Sequence, residues 1–195
     1  MELNSIAVFC GSSPGYDPSY CASAEELASF LVSRKIKIVF GGGKIGVMGA
    51  LAEACLQNEG EIVGVIPKFL THKEVVHTGL TELILTDNMH QRKAIITELS
   101  DAYIILPGGY GTMEEFFEVL TWAQLGLHSK PIGILNVDGF YNALIQQVDS
   151  MVDNGFLKEE NKRMILISDS IEDLFTQLKE YQAPMVPKWL KLDQT

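Results

Sequence analysis

The sequence has few cysteines and no long apolar run, and each absence excludes a class of protein. Its three cysteines, Cys10, Cys21 and Cys55, are odd in number and lack metal-type spacing, so we expect reduced, mostly packing thiols. No stretch approaches the roughly 18–20 apolar residues of a membrane span. The N-terminus also lacks the basic region and long apolar segment of a signal peptide. These features predict a cytoplasmic protein.

Positive charge is scarce as well. Fifteen lysines and arginines stand against 25 aspartates and glutamates, which gives a formal net charge of −10. A chain with this charge has no broad basic surface on which to gather nucleic acid or an anionic membrane. A small anionic ligand is not excluded, because a few backbone amides and one or two cations make a pocket locally positive.

Short apolar runs alternate with longer helical patterns along most of the chain. The predicted strands are Ile6–Cys10, Ile36–Phe40, Ile62–Ile66, Glu82–Thr86, Ala102–Leu106, Pro131–Leu135 and Met164–Ile167. The predicted helices lie around residues 18–34, 46–58, 89–99, 113–127, 139–153 and 171–181. The strands are continuous apolar runs, which is typical of a sheet covered on both faces.

This alternation predicts an α/β fold. We expect a Rossmann-like, doubly wound, mainly parallel sheet with helices on both faces and right-handed crossovers. Residues 1–181 form a single nucleotide-binding domain in this interpretation. The C-terminal tail, residues 182–195, contains Pro184, Pro187 and Trp189 and breaks the pattern.

Two glycine-rich turns follow apolar strands and precede helices. Their sequences are GGGKIG at residues 41–46 and PGGYGT at residues 107–112, and a third strand end carries GSSPG at residues 11–15. Glycine lets backbone amides approach a ligand, and the helix start offers free N–H groups to an anion. One such turn is equally well explained as a tight connection. Three on the carboxyl edge of a parallel sheet predict a phosphate site.

The first turn also contains G-x-G-x-x-G, the fingerprint of a dinucleotide site. Such a site needs an acidic residue about 20 positions further on to hold the ribose hydroxyls. Here the next strand ends Val65-Ile66-Pro67-Lys68, without a carboxylate. A P-loop fails too, because no Gly-Lys-Ser/Thr follows at the required spacing. Dinucleotide binding is therefore disfavoured.

Charged residues at two predicted helix starts have competing interpretations. The spacing of Thr112 and Glu115 fits a capping box, in which both side chains bond to the backbone at the helix start. In the alternative interpretation, Thr112 contacts a phosphate and Glu115 faces a ribose. Glu114, Glu115 and Glu118 beside a phosphate site are costly unless one of them does chemistry. Arg92 and Lys93 oppose the dipole of their helix, which favours an anion or carboxylate nearby over solvated surface charge.

These motifs resemble those of the LOG family of cytokinin riboside 5′-monophosphate phosphoribohydrolases. The family pattern Pro-Gly-Gly-x-Gly-Thr-x-x-Glu matches residues 107–115, Met-x-x-Arg-Lys matches residues 89–93, and the similarity spans roughly residues 5–180. The resemblance implies a homodimer without cofactor or metal. Its substrate would be a purine or cytokinin nucleoside 5′-monophosphate, cleaved at the N-glycosidic bond to free base and ribose 5-phosphate.

The resemblance also implies roles for individual residues. Arg92 and Glu115 are the expected catalytic pair. The expected substrate contacts are Gly41, Gly42, Gly43, Glu74, Met89, Lys93, Gly108, Gly109, Tyr110, Gly111, Thr112, Glu114 and Thr121. Relatives often carry a "lysine decarboxylase" label, but nothing in the sequence indicates a pyridoxal phosphate site.

Two other functions stay open at this point. One is a general nucleoside-monophosphate nucleosidase. The other is a nonenzymatic carrier of a nucleotide or of the molybdenum cofactor. Such a carrier would need the phosphate turns but not Arg92 together with Glu115.

Overall fold

A single parallel sheet organises the chain, and a computed structural model describes residues 2–71 and 76–184 of it. Its strands are Ser5–Phe9 (β1), Lys37–Phe40 (β2), Ile62–Pro67 (β3), Glu82–Thr86 (β4), Ala102–Ile105 (β5), Ile132–Leu135 (β6) and Ile165–Ser168 (β7). The helices are Ser19–Ser33 (α1), Gly46–Gln57 (α2), Met89–Glu98 (α3), Tyr110–Gln124 (α4), Asn142–Asp153 (α5), Glu159–Lys162 (α6) and Ile171–Glu180 (α7). Short 3₁₀ turns occupy Lys68–Leu70 and Val137–Gly139.

The strand order creates a switch point in the middle of the sheet. The order is β4-β3-β2-β1-β5-β6-β7, and every neighbouring pair is parallel. The chain runs outward from β1 to β4 and then returns to place β5 on the other side of β1. Ligands of doubly wound folds bind where the strand order reverses in this way. The turns after β1 and β5 therefore flank the expected binding crevice.

Two hydrophobic layers sandwich the sheet. Helices α1, α2 and α7 pack on one face through side chains such as Leu27, Leu51 and Leu174. Helices α3, α4 and α5 cover the other face, where Ile96 and Phe116 are almost completely buried. Burying side chains of this size contributes about 1.5–3 kcal/mol each, so the central strands are the stable platform of the site. In the described part of the chain no helix is long and apolar enough to cross a membrane.

The predicted Rossmann-like α/β fold is confirmed, and the differences concern element ends and one short additional helix. All seven predicted strands are present, each shifted by at most one residue at either end. Helix α4 begins at Tyr110 instead of 113, and α5 begins at Asn142 because a 3₁₀ turn precedes it. The short helix α6 was not predicted. The division into one domain and a tail is still a prediction, and residues 185–195 lie outside the described residues.

Candidate active site

The three glycine turns meet at Gly11, at the end of β1. The amide of Gly11 donates a hydrogen bond to the Pro107 carbonyl at 3.0 Å, and the Met48 amide donates to the Gly11 carbonyl at 3.1 Å. Gly46 has a positive φ of 67°, and a Cβ added to it would lie 2.3 Å from the Ser12 carbonyl carbon. The turn after β1 thus joins the other two. The structure gathers all three at the switch point of the sheet.

The start of α4 offers open backbone amides. Gly109 precedes the helix, and the first N–H groups of any helix lack acceptors within it. A Cβ added to Gly109 or Gly111 would meet nothing within 4 Å, and neither residue has a positive φ. Gly111 lies inside the helix, where glycine costs about 1 kcal/mol relative to alanine, and no protein neighbour requires glycine there. The packing of the protein leaves open space against the backbone at both positions.

Thr112 and Glu115 do not form the capping box that their spacing allowed. The residue before the helix is Gly109, with no side-chain cap, so both residues lie inside α4. They are buried, with exposures of 3% and 9%. A Cβ on Gly108 would lie 2.1 Å from the Thr112 hydroxyl oxygen, so this threonine packs on the turn itself. The capping interpretation was wrong, and both side chains face the interior beside the turns.

Arg92 and Glu115 form a buried ion pair. Nη2 of Arg92 lies 3.2 Å from Oε1 of Glu115, and each residue is 9% exposed. Nε of Arg92 donates to the Val65 carbonyl of β3 at 3.0 Å. A Cβ on Gly41 would lie 2.4 Å from Nη2, so the guanidinium rests on the glycine backbone after β2. Three elements therefore fix the orientation of Arg92.

The two remaining acidic residues at this helix start share one lysine as their ion-pair partner. Nζ of Lys93 lies 2.7 Å from both Glu114 Oε1 and Glu118 Oε1. Burial pulls the pKa of the Lys93 ammonium down, but the hydrogen bonds to Glu114 and Glu118 outweigh this effect and raise it. Two cations of α3 thus face three carboxylates of α4. Glu115 is set apart from the other two by its pairing with Arg92.

Cys10 and Tyr141 are buried beside the turns that follow β1 and β5. Burial raises the pKa of the Cys10 thiol well above its ordinary value, and the charge of Glu115 raises it further. The hydroxyl of Tyr141 donates to the Leu106 carbonyl at 2.7 Å, directly before the second turn. A thiol held protonated is a poor nucleophile. Cys10 is therefore a poor candidate for a nucleophile in this site.

The structure separates some of the predicted contacts from the turns. Met89 is close, with its sulfur 3.9 Å from Arg92 Nη1. Thr121 lies about 16 Å along α4 from Tyr110 at 1.5 Å per residue, and its hydroxyl donates to the Phe117 carbonyl. Glu74 lies outside the described residues. Tyr110 is almost fully exposed at the mouth of the site.

Comparisons with known proteins agree with the motifs. A family model described as "Possible lysine decarboxylase" matches residues 48–178. A cytokinin riboside 5′-monophosphate phosphoribohydrolase of Arabidopsis thaliana is 47% identical, over 91% of this chain and 82% of its own. A probable enzyme of the same name from that plant is 48% identical, over 92% and 90%. A probable one from Oryza sativa subsp. japonica is 47% identical, over 89% and 82%.

Solved structures share the fold at much lower identity. The molybdenum cofactor binding protein of Rippkaea orientalis has a TM-score of 0.68 at 23% identity, covering 92% of this chain and 97% of that one. The molybdenum cofactor carrier protein of Chlamydomonas reinhardtii has a TM-score of 0.69 at 18% identity, covering 92% and 98%. Likeness at this identity establishes the common fold and carries no information on ligand or reaction.

Proposed function

Because this chain belongs to the LOG family of cytokinin riboside 5′-monophosphate phosphoribohydrolases, we propose that it hydrolyses the N-glycosidic bond of a purine nucleoside 5′-monophosphate. The products are the free base, such as a cytokinin, and ribose 5-phosphate. The observation that carries the proposal is the buried pair of Arg92 and Glu115 beside glycine turns with open amides. A carrier would need the turns alone.

In this proposal the glycine turns hold the 5′-phosphate. The open N–H groups at the start of α4 and the positive end of its dipole attract an anion. Gly109 and Gly111 leave room for phosphate oxygens to reach those amides. A bound phosphate positions the sugar and holds C1′ against the catalytic pair. This fixed geometry raises the rate, because the reacting groups no longer have to find each other by diffusion.

Glu115 then acts on the sugar. Breaking the C1′–N bond builds positive charge on the ribose ring, as in other glycoside hydrolysis. The Glu115 carboxylate stabilises that charge, orients the sugar hydroxyls or activates the attacking water. Arg92 is not a base, because its guanidinium keeps its proton at any ordinary pH. It orients Glu115 across 3.2 Å and stabilises negative charge on the departing purine.

We also propose a cytoplasmic homodimer. All three cysteines are free, as expected where thiols are kept reduced. Thr121 lies about 16 Å along α4 from Tyr110, so the substrate contact expected of it would have to be made at the site of a second copy. Phe117, one turn before Thr121, exposes an aromatic ring that such a contact would cover. The molar mass in solution, measured by light scattering, tests the dimer.

Removing the phosphate from the substrate should nearly abolish the reaction. We expect kcat/KM for adenosine to fall at least about 10²-fold below that for adenosine monophosphate, because charge-assisted hydrogen bonds contribute about 1.5–3 kcal/mol each. Free base released from adenosine monophosphate, its N6-isopentenyl analogue and both nucleosides is measured by chromatography. Nucleotide binding without base release would favour a carrier. Equal rates on several bases would favour a general nucleosidase.

Gly111→Ala should weaken anion binding without harming the fold. The new methyl group meets no protein atom and improves helix propensity by up to about 1 kcal/mol, so unfolding by urea should shift upward or stay constant. The same methyl crowds the amides of α4, and we expect the Kd for ribose 5-phosphate to rise about tenfold, equivalent to one lost hydrogen bond. Gln147→Ala, at an exposed position of α5, controls for propensity. An unchanged Kd for ribose 5-phosphate in Gly111→Ala would show that the phosphate does not bind at the start of α4.

A further inference from the structure

We propose that His77 is a positioning residue that holds the first glycine turn, and through it Arg92, in the catalytic arrangement. Residues 76–80, here called the strap, run past this turn. The kinetic consequence rests on the proposed function. The positional consequence does not, and it is measurable without substrate.

Main-chain hydrogen bonds join the strap to the turn. Val76 forms an antiparallel bridge with Gly43. The His77 amide donates to the Gly42 carbonyl at 3.0 Å. Gly42 has a positive φ of 81°, which glycine adopts without steric cost, so contacts with the strap restrict a backbone that is otherwise conformationally free. The centre of the turn is therefore bonded to the strap.

The ring of His77 fastens the strap to α2. It is only 5% exposed, and its Nδ1 accepts a hydrogen bond from the Gly79 amide at 3.1 Å. A neutral ring that accepts at Nδ1 carries its proton on Nε2. Nε2 lies 3.1 Å from Glu53 Oε1, so it donates to that carboxylate. Glu53 belongs to the helix into which the turn leads, so the turn is held at its centre and from its far end.

The position of the first glycine turn determines where the Arg92 guanidinium lies. The Arg92 guanidinium rests on Gly41, whose hypothetical Cβ would be 2.4 Å from Nη2. Because no side chain lies between them, a shift of the turn displaces Nη2 directly. The same Nη2 makes the 3.2 Å contact to Glu115. A chain of packed contacts thus runs from His77 through the turn to the catalytic pair.

Steady-state kinetics test the consequence for turnover. His77→Phe keeps an aromatic ring and removes both ring hydrogen bonds. We expect kcat on adenosine monophosphate to fall about 10- to 100-fold with KM within about threefold, since a displacement near 1 Å has effects of this size on rate. Thr78→Ala, at the exposed neighbouring position, should match the wild type. Glu53→Gln keeps an acceptor for Nε2–H and should retain most activity, whereas Glu53→Leu should resemble His77→Phe.

The position of Arg92 is measured independently by NMR. The chain has three arginines, Arg34, Arg92 and Arg163, and only Arg92 is buried. Its Nε–H, bonded to the Val65 carbonyl, should give a protected resonance that is absent in Arg92→Ala. We expect His77→Phe to shift this resonance and to speed the hydrogen exchange of this N–H about tenfold. A tenfold change corresponds to the net stabilisation that one hydrogen bond provides. Thr78→Ala should leave it unchanged.

The outcomes separate the two proposals. If the wild type releases no base, the proposed function fails, and the Arg92 resonance still decides the role of His77. An unmoved resonance in a folded His77→Phe overturns the positioning role, and so does a raised KM with unchanged kcat. If His77→Phe does not fold, Glu53→Leu is measured in both assays. It removes the acceptor from the exposed side of the pair and leaves the histidine ring in place.

Discussion

Glu115→Gln should lower kcat for base release by about 10²–10⁴-fold, the usual effect of removing a positioned acid–base group. Glutamine keeps an oxygen at the end of the side chain to accept from Arg92 Nη2, now 3.2 Å from Oε1, so the packing of α4 should survive. It loses the negative charge that opposes the developing positive charge at C1′. The phosphate site that we propose at the turns does not include Glu115, so KM and the Kd for ribose 5-phosphate should change little.

Glu118→Gln is the matched control for this experiment. It makes the same substitution on the same helix, but the side chain faces Lys93 instead of Arg92. Its kcat should stay within about threefold of the wild type, because Lys93 keeps its ion pair with Glu114 and the pair of Arg92 and Glu115 is unchanged. Single-turnover kinetics with adenosine monophosphate measure both variants. A Glu115→Gln enzyme that matches the Glu118→Gln enzyme would disprove the catalytic assignment.

The start of α4 shows why local rules misplaced one helix end. Glycine and aromatic residues are weak helix formers, so the pattern predicts a helix from residue 113 with Thr112 as its cap. In the structure the helix begins at Tyr110 because Thr112 packs on Gly108 and Phe116 is fully buried against the sheet. Tertiary packing overrides propensity here. Thr112 and Glu115, which were predicted to cap the helix, are instead buried inside α4 beside the glycine turns.

The glycine edge could be predicted, whereas several side-chain partners could not. Continuous apolar runs indicate parallel strands, and parallel strands place their following turns on one edge. Cations at the start of α3 indicated that an anion or a carboxylate lies near Arg92, although spacing alone did not select Glu115. His77 was missed, because a single histidine has no periodic or spacing signal. Its role depends on a contact with Glu53, 24 residues away.

Gly46→Ala should destabilise the protein by about 2–5 kcal/mol and abolish most turnover. Two effects add. Gly46 has a φ of 67°, where an L residue costs about 1–2 kcal/mol. Its new Cβ would also lie 2.3 Å from the Ser12 carbonyl carbon and 2.5 Å from the Ser13 amide nitrogen, and overpacking of this kind costs about 1–3 kcal/mol. These contacts are main-chain atoms, so no side-chain rotation relieves them.

The two ways to relieve the clash have the same functional outcome. Either the turn after β1 moves away from α2, or α2 withdraws from it, and both break the hydrogen bond from Met48 to Gly11. The crevice then opens, and the phosphate turns no longer face one anion. The free energy of unfolding in urea is measured for Gly46→Ala and for Gly111→Ala. The two variants carry the same substitution, but only the Cβ at position 46 meets protein atoms. A loss below about 2 kcal/mol at Gly46 would contradict the close approach of these turns, because the φ penalty alone accounts for a loss of that size.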